Sequence, residues 1–277
     1  MKKRLLAGIL ITLLLFVVAR RISKNRPQEI EEEFGGTLIT HSTVYEQVGP
    51  GQPEILLKAD RPLEIGAEVI YRVPGSQAAD TVAMTEISSG VWSARLPQRE
   101  KGERIEYGFL LTSREESDAG ITTASSRTGY HLIKYKGEVS ITVLILHILC
   151  MFAAFYFIVE ASIGALAVLF RGEDREFTVA QTRWVLLFTF LGGWPLGFTL
   201  NWQRFGPLWE GFPFGYDITD NKTQLIAIFW LIVAAMAWKS FANRRTGRDR
   251  ASPVVYATAV IIASVLSMIL YLVPHSL

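Results

Sequence analysis

The stretch NWQRFGPLWEGFPFGYDITDNKTQ, residues 201–224, lies between two apolar segments of the type that crosses a membrane. Glycine and proline interrupt it every few residues, so it cannot be one long helix. An ordinary solvated turn is rich in Ser, Asn and Lys, whereas this stretch is rich in aromatic rings, which must be buried in the membrane headgroup layer, in the protein's own fold or in a partner. The residues that we predict to bind a partner are Trp202, Trp209, Phe212, Phe214, Tyr216, Asp217 and Asp220.

A structural role is the alternative for residues 201–223, which we call the aromatic loop. Trp and Tyr are enriched at membrane–water interfaces, and an N-cap at Thr219 or Asp220 would begin the next apolar helix. Asp217 and Asp220 are expected to fix the loop to that helix by capping. The spacing of the acidic residues fits no EF-hand loop, so an N-cap is favoured over a Ca²⁺ site. The residues that such a Ca²⁺ site would use are Glu210, Asp217, Asp220 and Asn221.

The composition indicates a membrane protein with one soluble domain. The chain has 277 residues, of which 50% are hydrophobic, and these concentrate near the N-terminus and after residue 138. The net charge of +2 leaves no electrostatic footprint for a nucleic acid, so we expect no nucleic-acid partner. Because Cys150 is the single cysteine, a disulfide within the chain is excluded.

Five membrane spans are predicted. Residues 1–21 are expected to be a signal-anchor helix, because Arg20 and Arg21 follow the apolar run where a cleavage site of small residues should lie. Residues 138–277 are expected to be a four-helix transmembrane domain. The Gly-Gly-Trp-Pro motif at residues 192–195 should kink the third span. The four apolar segments of this domain are residues 139–170, 184–200, 225–238 and 254–273.

The region between the first two spans has a different pattern. Residues 22–35 are polar and read as a linker, whereas strand-forming runs recur across residues 36–137, separated by turn signals. Roughly six to eight short strands over about a hundred residues predict a β-sandwich. The segment SGVWSARLPQREKGERIEYGFLLTS, residues 89–113, resembles fibronectin type III and other immunoglobulin-like modules. The predicted fold class is therefore a membrane α-helical bundle of five spans with an extracytoplasmic, all-β, immunoglobulin-like sandwich domain.

Four motifs occur in the C-terminal half: LHILCMF (residues 146–152), GGWPLG (192–197), FPFGYDITDNKT (212–223) and PHSL (274–277). Together they resemble a family of uncharacterised bacterial integral membrane proteins. The run FPFGYDITDNKT is the most specific of the four. The resemblance implies a shared membrane domain and supplies no activity.

The distribution of Lys and Arg predicts the orientation of the spans. Basic residues are frequent in the segments that would lie inside if the N-terminus is inside, whereas the aromatic loop holds only Arg204 and Lys222. The Arg20–Arg21 pair is the exception. We therefore expect a multi-pass protein of the bacterial plasma (inner) membrane. The β-sandwich, the aromatic loop and the C-terminus would share the outer, periplasmic face.

Three ionisable residues lie within or beside the predicted spans. His147 and His275 can reach a similar depth near the outer surface, which a haem or metal site would require. Two histidines make a sparse site, so hydrogen bonding between helices is favoured over a metal or haem. Glu160 points to nearly the opposite face of its helix from His147 and could pair with a neighbouring helix or with Arg171.

No motif of a known catalytic site is recognised in the sequence. A nucleophile elbow, a P-loop, a Rossmann fingerprint and a zinc-binding HExxH motif are all absent. We therefore expect a non-catalytic accessory or scaffold protein that docks another membrane or periplasmic protein through the β-sandwich and the aromatic loop. The alternative is a redox membrane subunit in which His147 and His275 bind haem or a metal ion; no cofactor is predicted otherwise. A transporter built on the broken third span is a third alternative, disfavoured because no internal repeat is visible in the sequence.

Overall fold

The computed structural model describes residues 9–10, 12–14, 17–18, 28–34, 37–60, 66–117, 120–127, 129–242 and 249–273. The chain divides into two compact units. The β unit is Asn25–Glu138 with Gln203–Gly206, and the helical unit is Met1–Lys24, Val139–Trp202 and Pro207–Leu277. An N-terminal β region of two sheets and a C-terminal helical region are what the sequence predicted, and that part of the fold class is confirmed.

The β unit is built from strands in which burial alternates. In the strand Glu54–Ala59, Ile55 and Leu57 are fully buried, whereas Leu56 between them is exposed. Such alternation places one face of a strand against a core. Within the described ranges the strands are β1 (Glu29–Phe34), β2 (Thr37–Ser42), β3 (Glu46–Val48), β4 (Glu54–Ala59), β5 (Gly66–Arg72), β6 (Asp80–Ala83), β7 (Thr85–Ser88), β8 (Val91–Arg95), β9 (Arg104–Ser117), β10 (Gly120–Arg127) and β11 (His131–Lys136).

These strands form two sheets with a common core. The first sheet has the order β1-β2-β4-β8-β7, and the second has the order β3-β11-β9-β5-β6 with β10 paired to β9. The described pairs are antiparallel apart from β3 and β11, which are parallel. Leu57 of the first sheet and Phe109 of the second belong to one buried cluster, so the sheets bury their apolar faces together. An immunoglobulin-like topology stays a prediction.

His41 lies in this core with every polar atom of its ring bonded. Its Nδ1 lies 2.9 Å from the carbonyl oxygen of Leu56, which can only accept, so Nδ1 carries the proton. Nε2 therefore accepts a hydrogen bond from the Tyr107 hydroxyl group at 2.8 Å. The hydroxyl oxygen also accepts from the Val44 amide group at 3.0 Å. Burial lowers the pKa of His41, and it raises the pKa of Tyr107 to about 12.

A short segment from later in the sequence, Gln203–Gly206, also belongs to the β unit. The amide group of Gly137 donates to Arg204 O at 2.8 Å, and Arg204 Nη1 donates back to Gly137 O at 3.2 Å. The guanidinium of Arg204 lies 3.8 Å from the carboxylate of Glu46, which also binds Lys136. The hydrogen bond from Lys136 holds the pKa of Glu46 below its ordinary value. This segment is therefore fixed by backbone hydrogen bonds and charge together.

Among the residues that the structure describes, three helical segments are long and apolar enough to cross a membrane: Ile141–Arg171, Glu176–Phe205 and Pro253–Leu272. They agree with the prediction of a membrane protein. In the described part of the unit the helices are α1 (Ile141–Arg171), α2 (Glu176–Leu191), a π-helical turn (Gly192–Leu196), α3 (Gly197–Phe205), α4 (Ile218–Met236), α5 (Trp238–Phe241) and α6 (Pro253–Leu272).

The predicted total of five spans depends on two further segments. Residues 1–21 fall largely outside the described residues, although 9–10, 12–14 and 17–18 are helical. The helix α4 has 19 residues, but Thr219–Gln224 near its start are polar. Its apolar part is therefore shorter than the roughly 20 residues that a bilayer core needs. The count of five stays a prediction.

The Gly-Gly-Trp-Pro motif alters its helix without ending it. Residues Gly192–Leu196 form the π-helical turn with Pro195 inside, and it continues directly into α3. Proline has no N–H group to complete the α-helical ladder, and a π turn within an α-helix accommodates such a residue. The membrane-type segment therefore runs from Glu176 to Phe205.

Helices α1 and α2 are antiparallel and approach closely at glycines. A Cβ atom added to Gly164 would lie 2.6 Å from Thr178 Oγ1 near the start of α2. A Cβ atom added to Gly192, after the end of α2, would lie 2.7 Å from Met151 Sδ. Because a Cβ atom at either position would displace a neighbouring side chain, the two glycines allow the close spacing of the helices.

A buried carboxylate holds the turn that follows α4. Asp249 is 2% exposed at its side chain and forms an ion pair with Arg175. It accepts hydrogen bonds from the amide and hydroxyl groups of Ser240 within α5. Arg183 of α2 donates to the carbonyl oxygen of Phe241, also in α5, at 2.8 Å. Burial alone would raise the pKa of Asp249, but the hydrogen bonds from Ser240 and the charge of Arg175 outweigh it and hold the pKa below its ordinary value.

Acid should destabilise the β unit through its histidines. Burial lowers the pKa of both His41 and His131, although the charge of Glu32 opposes this at His131. The folded state therefore keeps them neutral where the unfolded chain binds protons, below about pH 6.5. The free energy of unfolding should be highest above that pH and fall below it, by up to about 1.4 kcal/mol per pH unit for each histidine.

Amide hydrogen exchange of the whole protein in detergent, followed in peptides of β4 and β9 and corrected for intrinsic exchange, measures this dependence. The variant His41→Asn keeps a donor for Leu56 O but cannot titrate, so its protection should change less between pH 7.5 and 5. An equal pH dependence in both proteins would show that His41 is not responsible.

Candidate functional site

The candidate site is the part of the aromatic loop that lies in the helical unit, residues 201–202 and 207–223. Its chain leaves α3 after Phe205 and turns irregularly until α4 begins at Ile218. Every residue of this part is described. The predicted site residues can therefore be placed one by one.

Asp220 is the acceptor that holds the loop against α4. Its side chain is buried, and Oδ2 accepts hydrogen bonds from the Glu210 amide group at 2.7 Å and from the Asn201 side chain at 3.0 Å. One carboxylate oxygen thus joins the end of one helix, the middle of the loop and the start of the next helix. Hydrogen bonds to a charged acceptor are stronger than those between neutral groups.

The N-cap of α4 is Asp217, two residues before Thr219 and three before Asp220, the N-cap positions predicted from the sequence. Its Oδ1 accepts from the Asp220 amide group at 2.9 Å. Asn221, one residue further on, turns its side chain back to the loop and accepts from the Phe212 amide group at 2.7 Å. The first turn of α4 therefore supplies side chains both for its own cap and for the loop.

A tight turn at Gly211 and Gly215 directs the chain between these anchors. The amide groups of Phe214 and Gly215 both donate to Gly211 O, at 2.9 and 3.0 Å. A Cβ atom on Gly215 would lie 2.3 Å from Glu210 O, and one on Gly211 would lie 2.8 Å from Asp220 Cβ. Both positions therefore require glycine. The peptide bond between Phe212 and Pro213 is cis.

Three aromatic side chains project from this turn and are named here the aromatic tip: Phe212, Phe214 and Tyr216. Their side chains are 63%, 83% and 91% exposed within the chain. Their backbone is nevertheless held by the hydrogen bonds of Asn221 and Gly211. The tip is an apolar surface on a fixed support, which is the form of a site that binds another molecule.

Trp209 is placed differently from the tip. It is half-buried, with its ring stacked on Trp194 of the π turn at 6.2 Å between centroids and edge-on to Phe198 at 5.7 Å. It therefore contributes to packing inside the helical unit. Trp202 is 53% exposed and lies on α3. Direct contact of either tryptophan with a partner stays a prediction.

Two acidic side chains of the loop, those of Asp217 and Asp220, accept hydrogen bonds. Asp220 Oδ2 is shared by two donors, and Asp217 caps α4. Within the ranges that the structure describes, no group of three or more His, Cys, Asp or Glu side chains is arranged to hold a metal ion. The observed geometry is that of the capping alternative, in which these carboxylates shape the loop.

The predicted intramembrane residues lie apart from the loop. His147 Nδ1 donates to Gly192 O at 3.0 Å, which joins α1 to the π turn. His275 falls outside the described residues, so its pairing with His147 stays a prediction. Glu160 is buried at 4% exposure, and the predicted partner Arg171 instead lies 3.9 Å from Glu173.

Two residues of the helical unit form contacts that the sequence analysis did not predict. Asn201 lies 19 residues before Asp220, and no local pattern relates them. Lys222 reads as a solvated loop charge, yet it is 5% exposed and its Nζ donates to Val273 O at 2.8 Å, beyond the end of α6. In the sequence, the one indication that Lys222 is buried is its position one turn into a helix whose next turn is apolar.

Comparison with models of known protein families and with curated proteins gives no match. The fold and the site together define a class: a protein with membrane-type helices, a two-sheet β unit and an aromatic loop fixed by buried hydrogen bonds.

Removing the Asp220 carboxylate should loosen the loop. In Asp220→Ala, the Glu210 amide group and the Asn201 side chain lose their acceptor, which should cost about 1–3 kcal/mol and lower the thermal midpoint in detergent. Asp217→Asn is the matched control, because Asn caps a helix as well as Asp does. A thermal midpoint for Asp220→Ala equal to that of Asp217→Asn would contradict the role assigned to Asp220.

Proposed function

We propose that this protein is a non-catalytic membrane accessory or scaffold protein that docks a partner through the aromatic tip, with the β unit as a further binding or spacer element. The observation that carries the proposal is the exposure of Phe212, Phe214 and Tyr216 on a backbone held by Asp220 and Asn221. Rings that are already positioned lose little conformational entropy when a partner covers them. Buried aromatic anchors contribute about 2 kcal/mol or more each at many interfaces.

The basic residues support an outward-facing tip. The turns after α1 and after α4 lie at one end of the antiparallel helices and carry most of the described basic residues of the unit. By the positive-inside rule this end would face the cytoplasm of a bacterial inner membrane, and the tip would face the periplasm. The chain passes from the β unit into α1, so the β unit would lie on the periplasmic side of the membrane. The basic residues concerned are Arg171, Arg175, Lys239 and Arg250.

The chemistry of the tip specifies the kind of partner. Three neighbouring rings without a basic residue among them favour an apolar groove over an acidic surface. Tyr216 adds one hydroxyl group that can hydrogen-bond at the rim of such a groove. We therefore propose another membrane or periplasmic protein as the partner.

Photo-crosslinking tests this function directly. Benzoylphenylalanine placed at Phe214 or Tyr216 of the full chain in cells should give a discrete protein adduct. Phe170, at the other end of α1 and 81% exposed, is the matched control and should not give the same adduct. The combined Phe212→Ala, Phe214→Ala and Tyr216→Ala variant should lose co-purification of that partner with an almost unchanged thermal midpoint, because these side chains are exposed. Adducts with lipid alone would identify the tip as a membrane anchor and overturn the docking proposal.

A haem- or metal-binding redox subunit is the second candidate, favoured by the tautomer of His147. Because Nδ1–H donates to Gly192 O, Nε2 carries the lone pair that a metal would bind, and such a hydrogen bond is typical of metal-binding histidines. If His147 and His275 share a haem, the purified protein should show a Soret band that His147→Ala abolishes. A colourless, metal-free preparation from haem-supplied cells would exclude this candidate.

A further inference from the structure

Glu160 faces α2 in the middle of the helical unit. Phe157, three residues earlier, stacks on Trp184 of α2 at 5.7 Å between ring centroids. Gly164, four residues later, is so close to α2 that a Cβ atom there would lie 2.6 Å from Thr178 Oγ1. Residues at these spacings share one face of a helix, so Glu160 lies between the two contacts and faces the same neighbour.

Two buried oxygen atoms in this interface lack a hydrogen-bond partner. They are Oε1 of Glu160, which is 4% exposed, and Oγ1 of Thr178, which is fully buried. Tyr156 lies one turn before Glu160, close enough for its hydroxyl group to interact with the carboxyl group. Buried polar atoms in native proteins are almost always satisfied, so a missing partner at two oxygens of the same helix interface points to a ligand.

Four positive side chains in the described part of the helical unit are engaged elsewhere. Arg171 lies by Glu173, Arg175 pairs with Asp249, and Arg183 and Lys222 donate to backbone carbonyl oxygens. Across the described ranges no Lys, Arg or His forms an ion pair with Glu160. A carboxylate buried in an apolar bundle without a counter-charge is costly, so its charge must be neutralised by something other than a side chain.

We propose that Glu160 anchors an intramembrane site for one monovalent cation, a proton or Na⁺, between α1 and α2. The Glu160 carboxyl group supplies the charge, and Thr178 supplies a second oxygen. Both cations carry the single positive charge that one carboxylate neutralises. The oxygen-only ligands favour hard cations, and a lone carboxylate is too little charge for a divalent one. This site lies apart from the aromatic tip and does not depend on the proposed docking function.

Dicyclohexylcarbodiimide, an apolar reagent for carboxylic acids in membranes, tests the site in the full-length protein in detergent. The carboxyl proton adds to one nitrogen of the reagent and the carboxyl oxygen to its central carbon; the acyl group then migrates to nitrogen, giving a stable N-acylurea with no leaving group. Peptide mass spectrometry should locate the adduct at Glu160. Glu173, an exposed carboxylate beside Arg171, is the internal control and should remain unlabelled.

The effect of NaCl on the labelling rate distinguishes Na⁺ from a proton as the bound cation. If Na⁺ binds, NaCl at ten times its dissociation constant should slow labelling about tenfold, because only the unoccupied fraction reacts. KCl at the same ionic strength should not slow it, and Thr178→Val should weaken the Na⁺ protection. If the site takes a proton, labelling should be insensitive to NaCl. Either pattern supports the proposal and identifies the cation.

The proposal is wrong if folded protein is labelled at Glu173 but not at Glu160. It is equally wrong if the thermal midpoint of the wild type responds to NaCl and pH in the same way as that of Glu160→Gln. Should Glu160→Gln fail to fold, the wild-type labelling pattern and the Thr178→Val variant decide the question alone.

Discussion

The close approach of α1 and α2 is the constraint on which the helical unit depends. Gly164 and Gly192 leave room for Thr178 and Met151 at opposite ends of the contact, and neither position can accept a Cβ atom without a displacement. In an apolar solvent, contact between helices depends on such packing because water does not drive helices together. The contact fixes which side chains face each other, and it brings Glu160 to α2 and His147 to the π turn.

The π turn links this helix contact to the aromatic loop. Trp194 within the turn stacks on Trp209 of the loop, and His147 of α1 donates to Gly192 O. The loop is held again at its far end by Asp220. A segment held at both ends can expose apolar rings without collapsing onto its own surface. That combination distinguishes the aromatic tip from a flexible connection, whose rings would fold back to bury themselves.

Local patterns were sufficient for some residues of the candidate site and not for others. The irregular course of the loop follows from the dense Gly and Pro pattern, because a chain broken so often cannot continue as one helix. The cap was predicted in the right segment but at Thr219 or Asp220 instead of Asp217, since several Asp, Thr and Asn residues in succession can each cap a helix. Asp220 is buried because Asn201 and Glu210 approach it, and that approach depends on the whole path of the loop.

The sequence by itself determined the division into a β region and a membrane-type helical region, because hydrophobic periodicity and segment length are properties of neighbouring residues. It also placed an irregular aromatic loop before α4. Only the tertiary structure decided that Trp209 packs inward while Phe214 remains exposed, that Lys222 bonds to Val273, and that Glu160 is buried in the helical unit while Arg171 lies by Glu173. These outcomes depend on contacts between segments far apart in the chain, and no local pattern specifies the distance or the facing side of such contacts.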